Sequence, residues 1–226
     1  MQIVILAAGR GTRMKDLTDS VPKPMLEIKG KPILAYKIEA LPEKVEEVIF
    51  VVGYLGGQIQ EYFGDSYAGK KISYVVQEQL NGTGGAVQLV KDLIKDDFLL
   101  MMADDLYMKK DVEKLMHHDL AMLGLEVDDP KKFGIIYLNK DGNLKNIIEK
   151  PDISGPAFAN IALYKLNKKF FDYPMTLSER GEYEIIQPIS SMAQDFSFHV
   201  EKATDWFPIG NPEDLKKAED IIDKFI

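Results

Sequence analysis

Three clusters in this 226-residue chain have residue types and spacings suited to chemistry on phosphates. The first is Leu6-Ala7-Ala8-Gly9-Arg10-Gly11-Thr12-Arg13-Met14, followed by Pro22-Lys23-Pro24-Met25. An apolar run ends in small residues and opens a Gly-rich loop, where the missing Cβ atoms let backbone N–H groups approach phosphate oxygens. Arg13 adds a planar multi-donor fork and Lys23 a point charge. The second is Gln77-Glu78-Gln79-Leu80-Asn81-Gly82-Thr83-Gly84-Gly85-Ala86, in which an amide side chain can donate to and accept from a base edge at once. The third is Leu99-Leu100-Met101-Met102-Ala103-Asp104-Asp105, an apolar run closing on acids, hard oxygen donors for a hard ion such as Mg²⁺.

Other chemistries find little support. There is no cysteine, hence no disulfide, thiolate metal site or Cys nucleophile. No Ser-His-Asp arrangement stands out. His117 and His118 fall on an expected helix, where neighbours point to different faces, and His199 reads as a structural histidine in a strand. The Gly loop is not a dinucleotide fingerprint, because Met14 stands where a third Gly is needed, and no Gly-Lys-Ser/Thr completes an ATPase-type loop.

The elements that must hold these clusters alternate along the first half. Strands are expected at Ile3–Ala8, Val48–Gly53, Ile72–Gln77 and Phe98–Ala103. Helices are expected at Ile33–Leu41, Gln58–Phe63, Gly84–Ile94 and Asp111–Leu120, the last with Asp111 as its N-cap. This order predicts an α/β fold with a mixed, mostly parallel central sheet flanked by helices. After about residue 122 the strand-like runs Met122–Val127, Gly134–Asn139, Lys145–Glu149 and Phe158–Leu166 follow one another with turns between, so hairpins are expected. A helix over Tyr183–Met192, a strand over Phe196–Glu201 and a final helix started by Asn211-Pro212-Glu213-Asp214 complete the pattern.

Composition narrows the partners. The net charge is −8, yet Arg10, Arg13, Lys15, Lys23, Lys29 and Lys31 outnumber the acids of the first 31 residues. A basic island on an acidic body suits a small polyanion rather than a nucleic acid. No stretch approaches a membrane span, and the N-terminal apolar run is too short for a signal peptide, so a cytoplasmic protein is expected.

Read together, LAAGRGTRM and PKPM resemble the signature of the sugar-phosphate nucleotidyltransferases, among them the glucose-1-phosphate thymidylyl- and uridylyltransferases. Later motifs recur in the family's order over nearly the whole chain. The resemblance implies a Rossmann-like nucleotidyltransferase fold in one domain over 1–226. Its nucleotide-binding half would span 1–121 and its sugar-phosphate half 122–226, with no C-terminal β-helix domain. It further implies that Leu6, Ala8, Gly9, Gly11, Thr12, Gln77, Gly82 and Thr83 bind the nucleotide, that Arg13, Lys23 and Lys150 are catalytic, and that Asp104 rather than Asp105 holds Mg²⁺. Gly134, Glu149, Asn160 and Glu184 match segments near the sugar, in Lys131-Lys132-Phe133-Gly134, Glu149-Lys150-Pro151, Ala159-Asn160-Ile161-Ala162 and Gly181-Glu182-Tyr183-Glu184. Two departures stand out. Ala162 stands where many relatives carry Gly. Pro208 stands where relatives carry a second metal-binding Asp, in Trp206-Phe207-Pro208-Ile209-Gly210, which leaves Asp205, Asn211 or water to take its place.

The implied reaction joins a nucleoside triphosphate to a sugar 1-phosphate and releases pyrophosphate. The acceptor phosphate is already mostly a dianion at neutral pH, its second pKa being about 6, so no general base is required. The Gly82-Thr83-Gly84-Gly85 stretch resembles that of the family's pyrimidine users, which implies UTP or dTTP, whereas the sugar and the oligomeric state are open. Two rival readings keep the fold: a regulatory nucleotide- or sugar-binding protein, which Pro208 favours, and a transferase with a non-sugar phosphate acceptor.

Overall fold

The computed structural model describes residues 1–178 and 181–225. In chain order the first half comprises β1 (Gln2–Ala7), β2 (Glu27–Ile28), β3 (Lys31–Pro32), α1 (Ile33–Ala40), β4 (Glu47–Val52), α2 (Gly56–Phe63), β5 (Ser66–Tyr67), β6 (Lys70–Val76), α3 (Thr83–Gln88), β7 (Phe98–Met102), β8 (Asp105–Tyr107) and α4 (Lys109–Leu115). The second half comprises β9 (Ala121–Val127), β10 (Gly134–Leu138), β11 (Leu144–Glu149), β12 (Ala157–Leu166), α5 (Ile186–Asp195), β13 (His199–Lys202), β14 (Trp206–Pro208) and α6 (Pro212–Ile221).

Among the described residues ten strands form one sheet, ordered β11-β10-β12-β7-β1-β4-β6-β5, with β9 on the free edge of β12 and β13 beyond it. β1 pairs in parallel with both β4 and β7, and every one of its residues is buried. Strand alternation sends Ile3, Ile5 and Ala7 to one face and Val4 and Leu6 to the other. The first face packs with Leu34 and Ile38 of α1, Ile59 of α2 and Val112 of α4. The second packs with Val87 of α3 and Ile189 of α5. This is why the run is continuously apolar, as the sequence expectation required: both faces are covered. The second half turns antiparallel, with a β10–β11 hairpin and β12 running against β7, β9 and β10. A third core gathers Met14, Leu26, Ile33, Leu106, Ile209, Ala218 and Phe225, and so ties the C-terminal segment to the loop after β1. Among the described residues no helix is long and apolar enough to cross a membrane.

Several sequence expectations need correction. The helix from residue 83 closes at Gln88 rather than Ile94, because Val90 N and Leu93 N donate to carbonyls three residues back and tighten the chain into turns. The helix expected from Tyr183 starts at Ile186, since Tyr183 N donates to Asn81 O and Tyr183 O accepts from Gly84 N. The strand expected over Phe196–Glu201 starts at His199, not Phe196, and His117 and His118 lie beyond the end of α4.

Asp111 is not a helix cap. α4 begins after Met108, and the fully buried Asp111 carboxylate accepts from Thr204 N and Thr204 Oγ1 at 2.5 and 2.8 Å. It fastens the chain between β13 and β14 to the first turn of α4. Asp111→Ala leaves two donors without their acceptor and is expected to cost about 2–4 kcal/mol. Urea denaturation checks this, and unchanged stability would mean that the contact contributes nothing.

Candidate functional site

The carboxyl ends of β1 and β7 open on one cleft of about 500 Å³. Leu6, Ala8, Gly9, Gly11, Thr12, Arg13, Lys23, Gln77, Gly82, Thr83 and Asp104 all line it. Every residue that the sequence singles out for the nucleotide therefore meets at one place. In open α/β sheets this is where ligands bind, outside the carboxyl ends of adjacent parallel strands.

The loop after β1 leaves the strand at Ala8 and reverses at Gly11, whose φ of 66° lies in the left-handed region. A Cβ on Gly11 would come within 2.9 Å of Lys23 Cβ, so close packing as well as φ demands glycine there. At Gly9, by contrast, an added Cβ would meet nothing within 4 Å, and the backbone is open to a ligand on that side. Thr18 Oγ1 and Met14 N close the turn by donating to Gly11 O at 3.2 and 2.8 Å. Met14 itself is fully buried in the third core. The residue that breaks the dinucleotide pattern thus anchors the loop, leaving Arg13 exposed beside it.

Lys23 follows Pro22 in a short 3₁₀ turn, and its side chain is only 7% exposed. Its ammonium pairs with Asp104 Oδ2, joining the loop after β1 to the end of β7. Asp104 keeps 32% side-chain exposure on the cleft wall. Its backbone O accepts from Ile209 N at 3.1 Å, and the β8–β14 ribbon that follows sets Pro208 opposite Asp105.

Asp105 faces inward. Burial pushes its carboxyl from the ordinary 3.8 up to about 7, and the charge of Asp104 adds to the rise. Tyr107 Oη donates to Ile161 O at 2.8 Å and lies 3.3 Å from Asp105 Oδ2. Burial pushes Lys37 down from 10.5 to about 8, against the opposing pull of Asp105 and Asp104, and its ammonium donates to Asp105 O. The two acids thus part company: Asp104 faces the cleft, whereas Asp105, Lys37 and Tyr107 form a buried underlay.

Gln77 is 6% exposed at the end of β6. Its Nε2 donates to Gly82 O at 3.2 Å and to Asn81 Oδ1 at 3.0 Å. A carbonyl can only accept, which fixes the amide's orientation and leaves Oε1 as the atom with accepting capacity. Gly82 adopts φ 102°, and a Cβ there would lie 2.4 Å from Tyr183 O.

The acceptor-side residues form a separate group. Gly134 pairs with Glu149 across the β10–β11 hairpin, and a Cβ on Gly134 would meet Glu149 Oε2 at 2.9 Å and Asn160 Cβ at 3.9 Å. Asn160 Nδ2 donates to Tyr164 Oη at 2.7 Å, and Asn160 Oδ1 accepts from Ala162 N at 3.0 Å. Ala162 has φ 57°, a conformation that glycine takes without strain. Lys150, half-exposed, lies 3.9 Å from Glu149 Oε1. Because β12 runs antiparallel to β7, with Leu163 opposite Met101, the start of β12 passes the end of β7 where Asp104 emerges.

Sequence reasoning missed some of the lining. Glu182 lines the cleft and Glu184 does not, although both lie in the same short segment. The alternation of an irregular segment gives no signal for that choice. Asn81 and Gly210 also belong to the site's frame. Neither candidate to replace Pro208 is placed to do so. Asn211 Oδ1 caps α6 by accepting from Glu213 N and Asp214 N, and Asp205 turns to Trp206 N and towards Lys224. Among the described residues that line the cleft, the acids are Asp104 and Glu182.

The chain is similar to known proteins. The family model described as Nucleotidyl transferase matches residues 2–224. A bifunctional protein GlmU from Methanococcus maripaludis is 38% identical over 223 residues, covering 96% of this chain and 53% of that protein. The chain thus spans about half the length of such relatives. The UTP–glucose-1-phosphate uridylyltransferase AglF of Haloferax volcanii is 34% identical, with 97% of this chain and 95% of that protein covered. Among solved structures, a UDP-glucose pyrophosphorylase complexed with UDP-glucose superposes with a TM-score of 0.84 at 23% identity, over 99% of this chain and 98% of that one, which shows the shared fold.

The raised Asp105 carboxyl has a pH signature. The folded state holds this proton more tightly than the unfolded chain, so the group favours folding below about pH 4 and loses that contribution as pH rises towards 7. Asp105→Asn is expected to flatten the fall in stability over that window, read from urea midpoints. An unchanged slope would place the proton elsewhere.

Proposed function

The chain belongs to the nucleotidyl transferase family, and from that footing we propose that it is a sugar-1-phosphate nucleotidyltransferase. In this reading it transfers a nucleotidyl group from a pyrimidine nucleoside triphosphate, UTP or dTTP, to a sugar 1-phosphate and releases pyrophosphate. The observation that carries the reading is the convergence of the Gly9–Arg13 loop, Lys23, Asp104 and the Gln77–Thr83 turn on one cleft. Residues 1–121 would supply the nucleotide's half of the site and 122–226 the acceptor's.

The chemistry follows from the charges. An oxygen of the sugar phosphate attacks the α-phosphorus in line. The bond from that phosphorus to the bridging oxygen breaks, and pyrophosphate leaves with its electron pair. Two anions must be brought together, so the residues' task is neutralisation and alignment rather than proton transfer. Arg13 and Lys23 hold the triphosphate on the loop, and Lys150 holds the acceptor's phosphate. Gly134, Glu149, Asn160 and Glu184 are the residues assigned to the sugar. The partly exposed Asp104 carboxylate, a hard oxygen donor at the cleft wall, fits Mg²⁺. When bound there, Mg²⁺ supplies further screening of the triphosphate charge. Pro208 offers no side-chain ligand, so triphosphate oxygens and water would complete the coordination. The accepting Oε1 of Gln77 suits a base that presents an imino N–H, as uracil and thymine do.

The test is a matrix of triphosphates against sugar 1-phosphates, scored by pyrophosphate release with and without Mg²⁺. Turnover is expected with UTP or dTTP and at least one sugar 1-phosphate. Arg13→Ala is expected to lower turnover at least about a hundredfold with stability unchanged. Lys150→Ala is expected to raise the KM for sugar 1-phosphate far more than that for the triphosphate. Binding without turnover across the matrix would favour a regulatory role, and turnover confined to non-sugar phosphates would move the acceptor assignment.

A further inference from the structure

The chain has three histidines and no cysteine, and two of the three converge far from the cleft. His199 and Glu201 alternate on β13, so their side chains leave the same face of the strand. His118, from the turn after α4, stacks on His199 with ring centroids 3.9 Å apart. Both imidazoles turn Nε2 to a single carboxylate oxygen. His118 Nε2 lies 3.7 Å and His199 Nε2 3.4 Å from Glu201 Oε2. Zinc bonds to nitrogen and oxygen of roughly 2.0–2.1 Å set tetrahedral ligand atoms roughly 3.3–3.4 Å apart. The three donor atoms all lie within 4.8 Å of one another, and all three side chains are partly exposed.

The backbone behind these side chains is fixed. Lys165, 2% exposed, pairs with Asp97 at 2.5 Å and donates to His118 O at 3.2 Å. His199 N donates to Leu120 O at 2.9 Å, which locks the His118 turn against β13. Lys114 lies 3.6 Å from Glu201 Oε1 and 3.6 Å from Asp111 Oδ1, and so engages the carboxylate oxygen that the histidines do not face.

We propose that His118, His199 and Glu201 form a second metal site, for a first-row transition ion of the Zn²⁺ type, separate from the Mg²⁺ position at Asp104. Two imidazoles and one carboxylate favour zinc, nickel, cobalt or copper over the hard ion Mg²⁺. β13 runs parallel to β9, and β9 and β7 both run antiparallel to β12. His199, level with Ala121 at the start of β9, therefore sits at the opposite end of the sheet from the nucleotide loop. An ion there would tie the turn after α4 to β13 and leave the cleft untouched.

The test is Zn²⁺ binding by equilibrium dialysis in excess Mg²⁺, with thermal unfolding alongside. One equivalent is expected for the wild type and for Asp104→Asn, with the unfolding midpoint raised by Zn²⁺. His118→Ala and His199→Ala are each expected to weaken binding at least about tenfold, with metal-free unfolding and Mg²⁺-dependent turnover unchanged. No stoichiometric binding by the wild type, or binding unaffected by both histidine substitutions, overturns the proposal. Because turnover is read separately, a failure here is distinguishable from failure of the proposed transferase activity.

Discussion

Everything in the cleft depends on β1 being enclosed. Its two edges are hydrogen-bonded to β4 and β7, and its two faces lie under helices. The strand's polar backbone is thereby satisfied inside the sheet, and the chain can leave only at the carboxyl end. β7 ends alongside in the same direction, so the Gly9–Arg13 loop and Asp104 emerge side by side. The Lys23–Asp104 ion pair then spans the gap, with the lysine sheltered and the acid open to the cleft. Sheltering matters energetically: a buried ammonium without its partner is costly, so the pair holds the loop in register with β7.

The same enclosure explains what could be read from residue types. A strand covered on both faces must be apolar throughout, and glycines at its mouth mark the loop that follows, so β1 and the loop were legible from residue types, whereas the choice of Asp104 over Asp105 came from the family resemblance. Less legible was anything fixed by a distant partner. Asp111 looks like a cap because acids often begin helices, yet its partner Thr204 lies 93 residues away. The convergence of Gly134, Glu149 and Asn160 depends on the register of three antiparallel strands, and composition does not encode register. Glu182 rather than Glu184 lines the cleft because Tyr183 is pinned by its backbone to Asn81 and Gly84. His118 pairs with His199 rather than His117, a contact made only once β13 joins β9.

The departures Pro208 and Ala162 share a region. Pro208 sits opposite Asp105 on the β8–β14 ribbon, and Tyr107 on the same ribbon donates to Ile161 O beside Ala162. Beneath lies the underlay of Asp105 and Lys37, whose burial raises the acid's pKa and lowers the amine's. Among the described residues of this wall, Asp104 is the acid that would face the proposed Mg²⁺ position, supported from below rather than by a second carboxylate across the ribbon. Such a position gains most of its ligands from the substrate, which ties metal and triphosphate binding together.

That account turns on where the divalent ion and the triphosphate sit. A crystal structure with Mn²⁺ and a non-hydrolysable UTP analogue, read from the manganese anomalous signal, addresses it directly. The account predicts one manganese peak bonded to Asp104 and to triphosphate oxygens, with the phosphates along Gly9–Arg13 and no protein ligand from the Pro208 side. A manganese held by Glu182 or Asp205 instead of Asp104, or a triphosphate lying away from the loop, would contradict it.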